Sequence, residues 1–322
     1  MLSFFTILHP LVDACSVSVL VMGGMSWQRV LAYNALAFAL QFPLGVVLDA
    51  RPRLVKVAFA VSLALTLLGV GLGAMSLGMC GVRGAPALPW VALAAACVGN
   101  ALFHLAAGKA VLDTHGGKGG PIGLFISTGA LGLFAGMKLA GPYGLWCCLG
   151  FGAALAAVGA LAVWRGLQPR YNHQKTKITL CRDCGGQGLT ALPMYWSFWM
   201  LSGLFALVAW RSWAGLLAGG MTNAAGLGFA LAGAAVTWAG KAAGGYLGDR
   251  CGRWLVTAVS VVGSLALCFA CRPEQVVVWL VLLFVAQLAT GPVLSLMYDK
   301  SGRASGIAFG LNCLGLFTGS LV

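Results

Sequence analysis

Charge is what this sequence has least of. Only 8% of its 322 residues are Asp, Glu, Lys or Arg, and seven are acidic. A soluble domain of similar length carries roughly a quarter charged residues, so a water-soluble globular protein is excluded. The formal net charge of +13 comes with no dense basic run and no interleaving of basic with aromatic residues. That absence excludes a nucleic-acid footprint. No phosphate-binding Walker loop, HExxH or grouped Ser-His-Asp is present, which leaves ATP coupling and hydrolytic catalysis without support. The acidic residues are spread over distant segments, whereas an enzyme needs its polar groups clustered, so no enzyme, cofactor or metal centre is expected. Eleven cysteines are present, but most, including Cys15, Cys97, Cys147, Cys148, Cys268 and Cys313, lie in apolar runs and read as small hydrophobes. CRDCGGQG matches half of a zinc-knuckle pattern at Cys181 and Cys184, with only His173 nearby. Tetrahedral zinc needs four ligands, so the pair reads as coincidental in a reducing compartment.

What the chain has is apolar length. Sixty per cent of its residues are hydrophobic and the mean hydropathy is +0.92. A membrane-spanning helix needs about 20 such residues, and on that measure spans fall near 2–22, 30–48, 54–76, 89–111, 121–140 and 143–164, then near 193–213, 224–247, 254–271, 275–297 and 305–322. The expected class is an all-α membrane protein. The first span contains Asp13 and does not read as a cleavable signal peptide. With the amino terminus inside, fourteen Lys and Arg residues fall on the cytoplasmic side and five outside, leaving Lys241 within a span. The positive-inside rule thus puts the amino terminus and the polar stretch 165–192 in the cytoplasm of a multi-pass protein of the inner or plasma membrane. The 47 glycines suit helices that approach closely in lipid.

The chain also repeats itself. GGYLGDRCGRWLV (244–256) answers PLGVVLDARPRLVK (43–56), aligning Gly45, Asp49 and Arg53 with Gly245, Asp249 and Arg253. Arg250 and Gly252 belong to the second copy only, since Ala50 and Pro52 stand at those places in the first. ALGLFAG (130–136) answers CLGLFTG (313–319), and GKGG (117–120) answers SGR (301–303). The expected division is an amino-terminal six-helix bundle over 1–164, a linker over 165–192 and a five-helix bundle over 193–322. Two similar bundles joined by a cytoplasmic linker is the arrangement of the major facilitator fold. A complete fold of that kind has twelve spans, and the sequence ends at Val322 within the eleventh, which reads as truncation before the twelfth.

GYLGDRCGRWLV resembles the major facilitator superfamily signature between helices eight and nine, and PLGVVLDARPRLVK the corresponding signature between helices two and three. The resemblance implies a gating latch in which Asp49 contacts the start of the eleventh helix, near Ser305, in one conformation and releases it in the other. A narrower resemblance covers 98–142. Phe103-His104, the basic loop after them, and Gly129, Gly132, Gly136, Gly141 and Pro142 resemble the fosmidomycin-resistance-like efflux branch, as does the His9-x-x-x-Asp13 spacing. Leu105 and Ala106 depart from that branch, which has proline and an acidic residue there. The glycine series also resembles the antiporter signature of drug exporters. Read as packing, its glycines permit a tight helix crossing and Gly141-Pro142 a bend.

Ionisable groups inside spans are costly and mark function. Asp13, one turn beyond His9 on the same face, is the expected proton carrier, with His9 or His104 as partner. Asn100 shares a face with His104, and Asn34, Asn223, Gln287 and Asn312 are candidates to line a cavity between the bundles. Tyr33, Phe38 and the tryptophans at 196, 199, 210, 213 and 238 read as stacking or interfacial residues. Gln41 and Lys241 precede the two corner motifs by two turns; Lys241 is expected to snorkel to the headgroups and Arg211 to anchor at the outer interface. Together these residues predict a monomeric secondary transporter in the lipid bilayer, exchanging a small organic molecule for protons. Proton-coupled nutrient uptake and a non-transporting remnant are the alternatives.

Overall fold

The computed structural model describes residues 1–78, 87–166 and 191–321. Its elements are α1 (Leu2–Gly23), α2 (Trp27–Asn34), a π-helical turn (Ala35–Ala39), α3 (Gln41–Ala50), α4 (Leu54–Gly78), α5 (Leu88–Thr114), α6 (Gly119–Ser127), α7 (Gly129–Trp164), α8 (Ala191–Ala224), α9 (Leu227–Cys251), α10 (Arg253–Ala270), α11 (Val276–Gln287), α12 (Thr290–Lys300) and α13 (Ser305–Gly319). The cysteine pair at 181 and 184 lies outside the described residues. Among those residues eight helical runs are long and apolar enough to cross a membrane. In lipid a helix satisfies every backbone N–H and C=O within its own segment, so apolar runs of this length fold no other way.

Two spans are interrupted, and one helical run joins two others. In the second, α2 passes to α3 through the π-turn, a widened stretch of a kind that often sits at functional positions. Gln41 fills the break by donating from Nε2 to the Ala37 carbonyl at 2.6 Å. The tenth span breaks between α11 and α12. The run Gly119–Trp164 has 46 residues, about 69 Å if straight at 1.5 Å per residue, twice what a bilayer core needs. It turns at Gly144, whose φ of 35° and ψ of −104° suit only glycine. The bend expected at Gly141-Pro142 thus falls two residues later, and a side chain at Gly141 would meet nothing within 4 Å.

α1, α4, α5 and α7 pack on one another, and α8, α9, α10 and α11 do the same, giving two helical bundles. The first is cored by the adjoining rings of Phe5, Phe59, Phe103 and Phe125, of which Phe103 and Phe125 also adjoin His9. The bundles meet through α3 with α13 and α6 with α9. Both crossings are glycine contacts at the two corner motifs. A Cβ on Gly45 would strike the Gly306 carbonyl, and one on Gly245 the Gly119 carbonyl. Only residues without side chains let the four backbones come that close.

Candidate functional site

A cavity of about 470 Å³ lies between the bundles. Its lining includes Leu20, Met25, Val30 and Ser320 toward the end away from the corners, and His9, Asp13, His104, Lys241 and Phe309 deeper in. The corner end is closed by two caps of one design. Asp49 accepts from the backbone N–H of Gly306 at 3.0 Å and of Ile307 at 2.7 Å, at the start of α13. Asp249 accepts from Gly119 and Gly120, both at 2.8 Å, at the start of α6. Each carboxylate thus takes up orphan donors at the positive end of a helix in the opposite bundle. Asp49 thus meets α13 beside Ser305, and the contact of Asp249 with Gly119 and Gly120 is its counterpart in the other copy.

The two caps differ in their cations. Asp49 also accepts from Lys109 Nζ at 2.7 Å; that ammonium donates to Ser305 Oγ at 2.8 Å and lies 3.3 Å from Asp113. Lys109 is not among the residues that the sequence singles out. The available signal was its position inside an apolar span, four residues before Asp113. At the second corner Arg253 sits 4.0 Å from Asp249 and 2.5 Å from Asp299. Arg53 and Arg250 are exposed and make no ion pair among the described residues. Gly252 has φ 103°, the left-handed turn that Pro52 cannot adopt in the first copy.

Deep in the cavity wall, α1 and α5 bring His9, Asp13, Asn100 and His104 together, all buried. His9 Nδ1 lies 2.7 Å from the Phe125 carbonyl and His104 Nδ1 2.9 Å from the Asn100 carbonyl. A carbonyl only accepts, so both Nδ1 atoms carry hydrogen and both Nε2 atoms are lone pairs. Those two lone pairs face each other at 2.6 Å, within reach of a single shared proton. Asp13 stands beside it, 3.2 Å from His9 Nε2 and 3.5 Å from His104 Nε2, and is held by Asn100 Nδ2 at 2.8 Å. The donor atoms of His9, Asp13 and His104 lie within 4.8 Å of one another, the chemistry of a cation site. Two imidazole nitrogens on one tetrahedral metal at 2.0–2.1 Å would stand about 3.3 Å apart, so the observed spacing fits a shared proton better. Gly129 covers the group: a Cβ there would strike Asp13 Oδ2 and come within 2.6 Å of His9 Nε2. Gly132 and Gly136 abut Pro10 and Ala14, so three glycines of the helix-five series pack α7 on α1.

On the carboxyl-terminal side, Arg211 is buried, with Nη1 donating to Gln287 Oε1 at 3.0 Å and Thr290 Oγ1 at 2.7 Å. Arg211 and Lys241 both line the cavity, which corrects their expected places at the outer interface and the headgroups. For Arg211, Gln287 and Thr290 supply the polar partners that a lipid interface would otherwise provide. Asn34, Tyr33, Phe38, Gln287 and Asn312 line the cavity as well, while Asn223 is exposed near the end of α8 and does not. None of the five tryptophans lines it; Trp210 packs on Trp213 and donates to Ser264 Oγ at 3.0 Å instead.

No protein-family model matches the chain, and no curated protein matches it. Solved structures do. The fucose:proton symporter FucP of E. coli aligns at 15% identity with a TM-score of 0.66, covering 99% of this chain and 89% of the other. FucP in an outward conformation gives 17% identity, the same score and the same coverage. A bacterial homologue of the iron transporter ferroportin in an outward-facing state aligns at 17% identity and a TM-score of 0.54 over the same shares of the two chains. At these identities the likeness is one of architecture alone, and it covers nearly the whole chain: two helical bundles in the major facilitator fold.

Proposed function

We propose that the chain is a secondary active transporter that exports a small organic molecule in exchange for protons. The observation that carries this reading is the His9–Asp13–His104 cluster, three proton-binding groups converging at one buried point in the wall of a cavity between the bundles. A group that holds a proton in one state and releases it in the other couples a gradient to the rocking of two bundles about a central site. Export rather than uptake is supported by the glycine series at 129, 132 and 136. In this reading residues 1–164 and 193–322 are the moving bodies, 165–192 links them, and the corner caps close the cytoplasmic side in a cell membrane. Asp49 and Asp249 then act as latches that hold the outward-open state.

Proteoliposomes carrying the full chain test it, with efflux of a panel of labelled organic solutes followed under an imposed proton gradient. Efflux should stop when the gradient is collapsed, and Asp13→Asn should reduce gradient-driven flux by about a hundredfold or more, within the range of functional ionisable groups. Movement of solute and protons in the same direction would make it a symporter instead. Flux indifferent to the gradient, or undiminished in Asp13→Asn, would remove the coupling role from this cluster.

A further inference from the structure

The cavity is asymmetric in charge. Among the described residues the only carboxylate in its lining is Asp13, which already faces two imidazoles, while the opposite side presents the cations Arg211 and Lys241. One negative group against two positive ones leaves the lining positive even before a proton is added to the histidines. Neither cation forms an ion pair with a carboxylate among the described residues.

Arg211 is also half-used in a specific way. Its Nη1 is fixed by Gln287 and Thr290, but Nε and Nη2 are buried without a hydrogen-bond partner. In a guanidinium the Nε–H and one N–H of Nη2 point the same way and form the side-on fork that accepts both oxygens of a carboxylate. An unpaired buried N–H group is costly, the more so when it is charged. Gln287 and Thr290 therefore orient the guanidinium while its anion-binding edge stays vacant. Asn312 Oδ1 and the Tyr33 hydroxyl, both in the same lining, are likewise buried without partners. A fully used structural arginine would leave neither its own edge nor its neighbours open.

We propose that Arg211, with Lys241 beside the same cavity, is the anion subsite of the transporter, and that the solute carries a carboxylate together with hydroxyl or amine groups. The Nε/Nη2 edge of Arg211 takes the two carboxylate oxygens, Lys241 adds a second positive charge, and Asn312 and Tyr33 meet the polar remainder. The fork is shut from solvent in this conformation, so rocking of the bundles governs access to it. This inference rests on the reading of the cavity as the solute path, but not on proton coupling, because binding needs no gradient.

The test measures ligand-induced stabilisation of the purified full chain in detergent at constant ionic strength. The probes are gluconate, lactate and succinate, with sorbitol as the neutral counterpart of gluconate and methylphosphonate as a tetrahedral anion. At least one carboxylate should bind saturably and sorbitol should not. Arg211→Lys, which keeps the charge but loses the fork, should weaken that binding by about tenfold, and Lys241→Gln by a similar factor. Midpoints without ligand report folding of each variant, and Lys241→Gln provides an independent reading if Arg211→Lys is unstable. Carboxylate affinity unchanged in both variants, equal binding of sorbitol, or no binding by any carboxylate would overturn the proposal; binding of methylphosphonate alone would overturn the choice of carboxylate. Flux indifferent to the proton gradient with carboxylate binding intact would sink only the coupling mechanism, and gradient-driven flux without carboxylate binding would sink only this subsite.

Discussion

Lys109 shows how much a single buried cation can organise. It is 1% exposed and touches Asp49, Ser305 and Asp113 at once. An ammonium withdrawn from water is tolerated only where carboxylates and hydroxyls replace its hydration, and here those partners tie α5 to both α3 and α13. Lys109→Met strips Asp49 of its cation but leaves it two backbone donors, so the loss should be about 1–3 kcal/mol, less than for a carboxylate left wholly unpaired. Combined with Asp49→Asn the losses should not add: a coupling of about 0.5–3 kcal/mol is expected from denaturation midpoints of the four proteins in the cycle. Strict additivity would mean that the pair is incidental. At this scale the sequence was only partly legible. His9 and Asp13 could be paired from their spacing, because four residues along a helix is one turn. Lys109 with Asp49, and Arg211 with Gln287, are joined only when helices 60 and 76 residues apart come together, and no local pattern records that.

Among the helices, glycine decides which pairs can cross. Gly45 and Gly245 occupy the same place in the two copies of the corner motif, and both meet a facing backbone. Gly45→Ala should therefore force α3 from α13 and lower stability by about 1–3 kcal/mol. Gly141→Ala, with nothing within 4 Å of the added methyl, should be neutral or stabilising by up to about 1 kcal/mol, since alanine is the better helix former. Thermal midpoints of the two variants in one detergent provide the comparison. Equal effects would show that the corner crossing is not a tight one. The helices themselves were readable from apolar length: most expected spans end within a few residues of described helices, although α8 runs on to Ala224, well past the expected end at 213. The π-turn at Ala35–Ala39 was not, because one extra residue in the helical winding is a departure that hydropathy does not register, whereas the reversal at Gly144 adjoins the break expected between 140 and 143.

Over the whole molecule, internal repetition becomes mechanism. Asp49 caps a helix of the second bundle and Asp249 caps a helix of the first, so the two copies of one motif close the same end reciprocally. The repeat itself was plain in the sequence, and with it the two-bundle fold. Which end is closed was not, because opening and closing differ by contacts between bundles rather than by any change within a helix. In this conformation the cavity reaches toward Met25 and Ser320, while the corner end is latched. Alternating access demands a second state in which those relations are exchanged, and two-state rocking, not a pore, is the central claim.

Paired spin labels measure it directly in the reconstituted protein. One pair, at Arg51 and Arg303, spans the corner end; the other, at Met25 and Gly220, spans the opposite end; all four positions are exposed. The predicted result is two distance populations at each end, with the corner short when the opposite end is long. Asp49→Asn combined with Asp249→Asn should raise the corner-open fraction several-fold as the caps weaken by about 1–2 kcal/mol. A single fixed distance at both ends, or both ends lengthening together, would contradict alternating access.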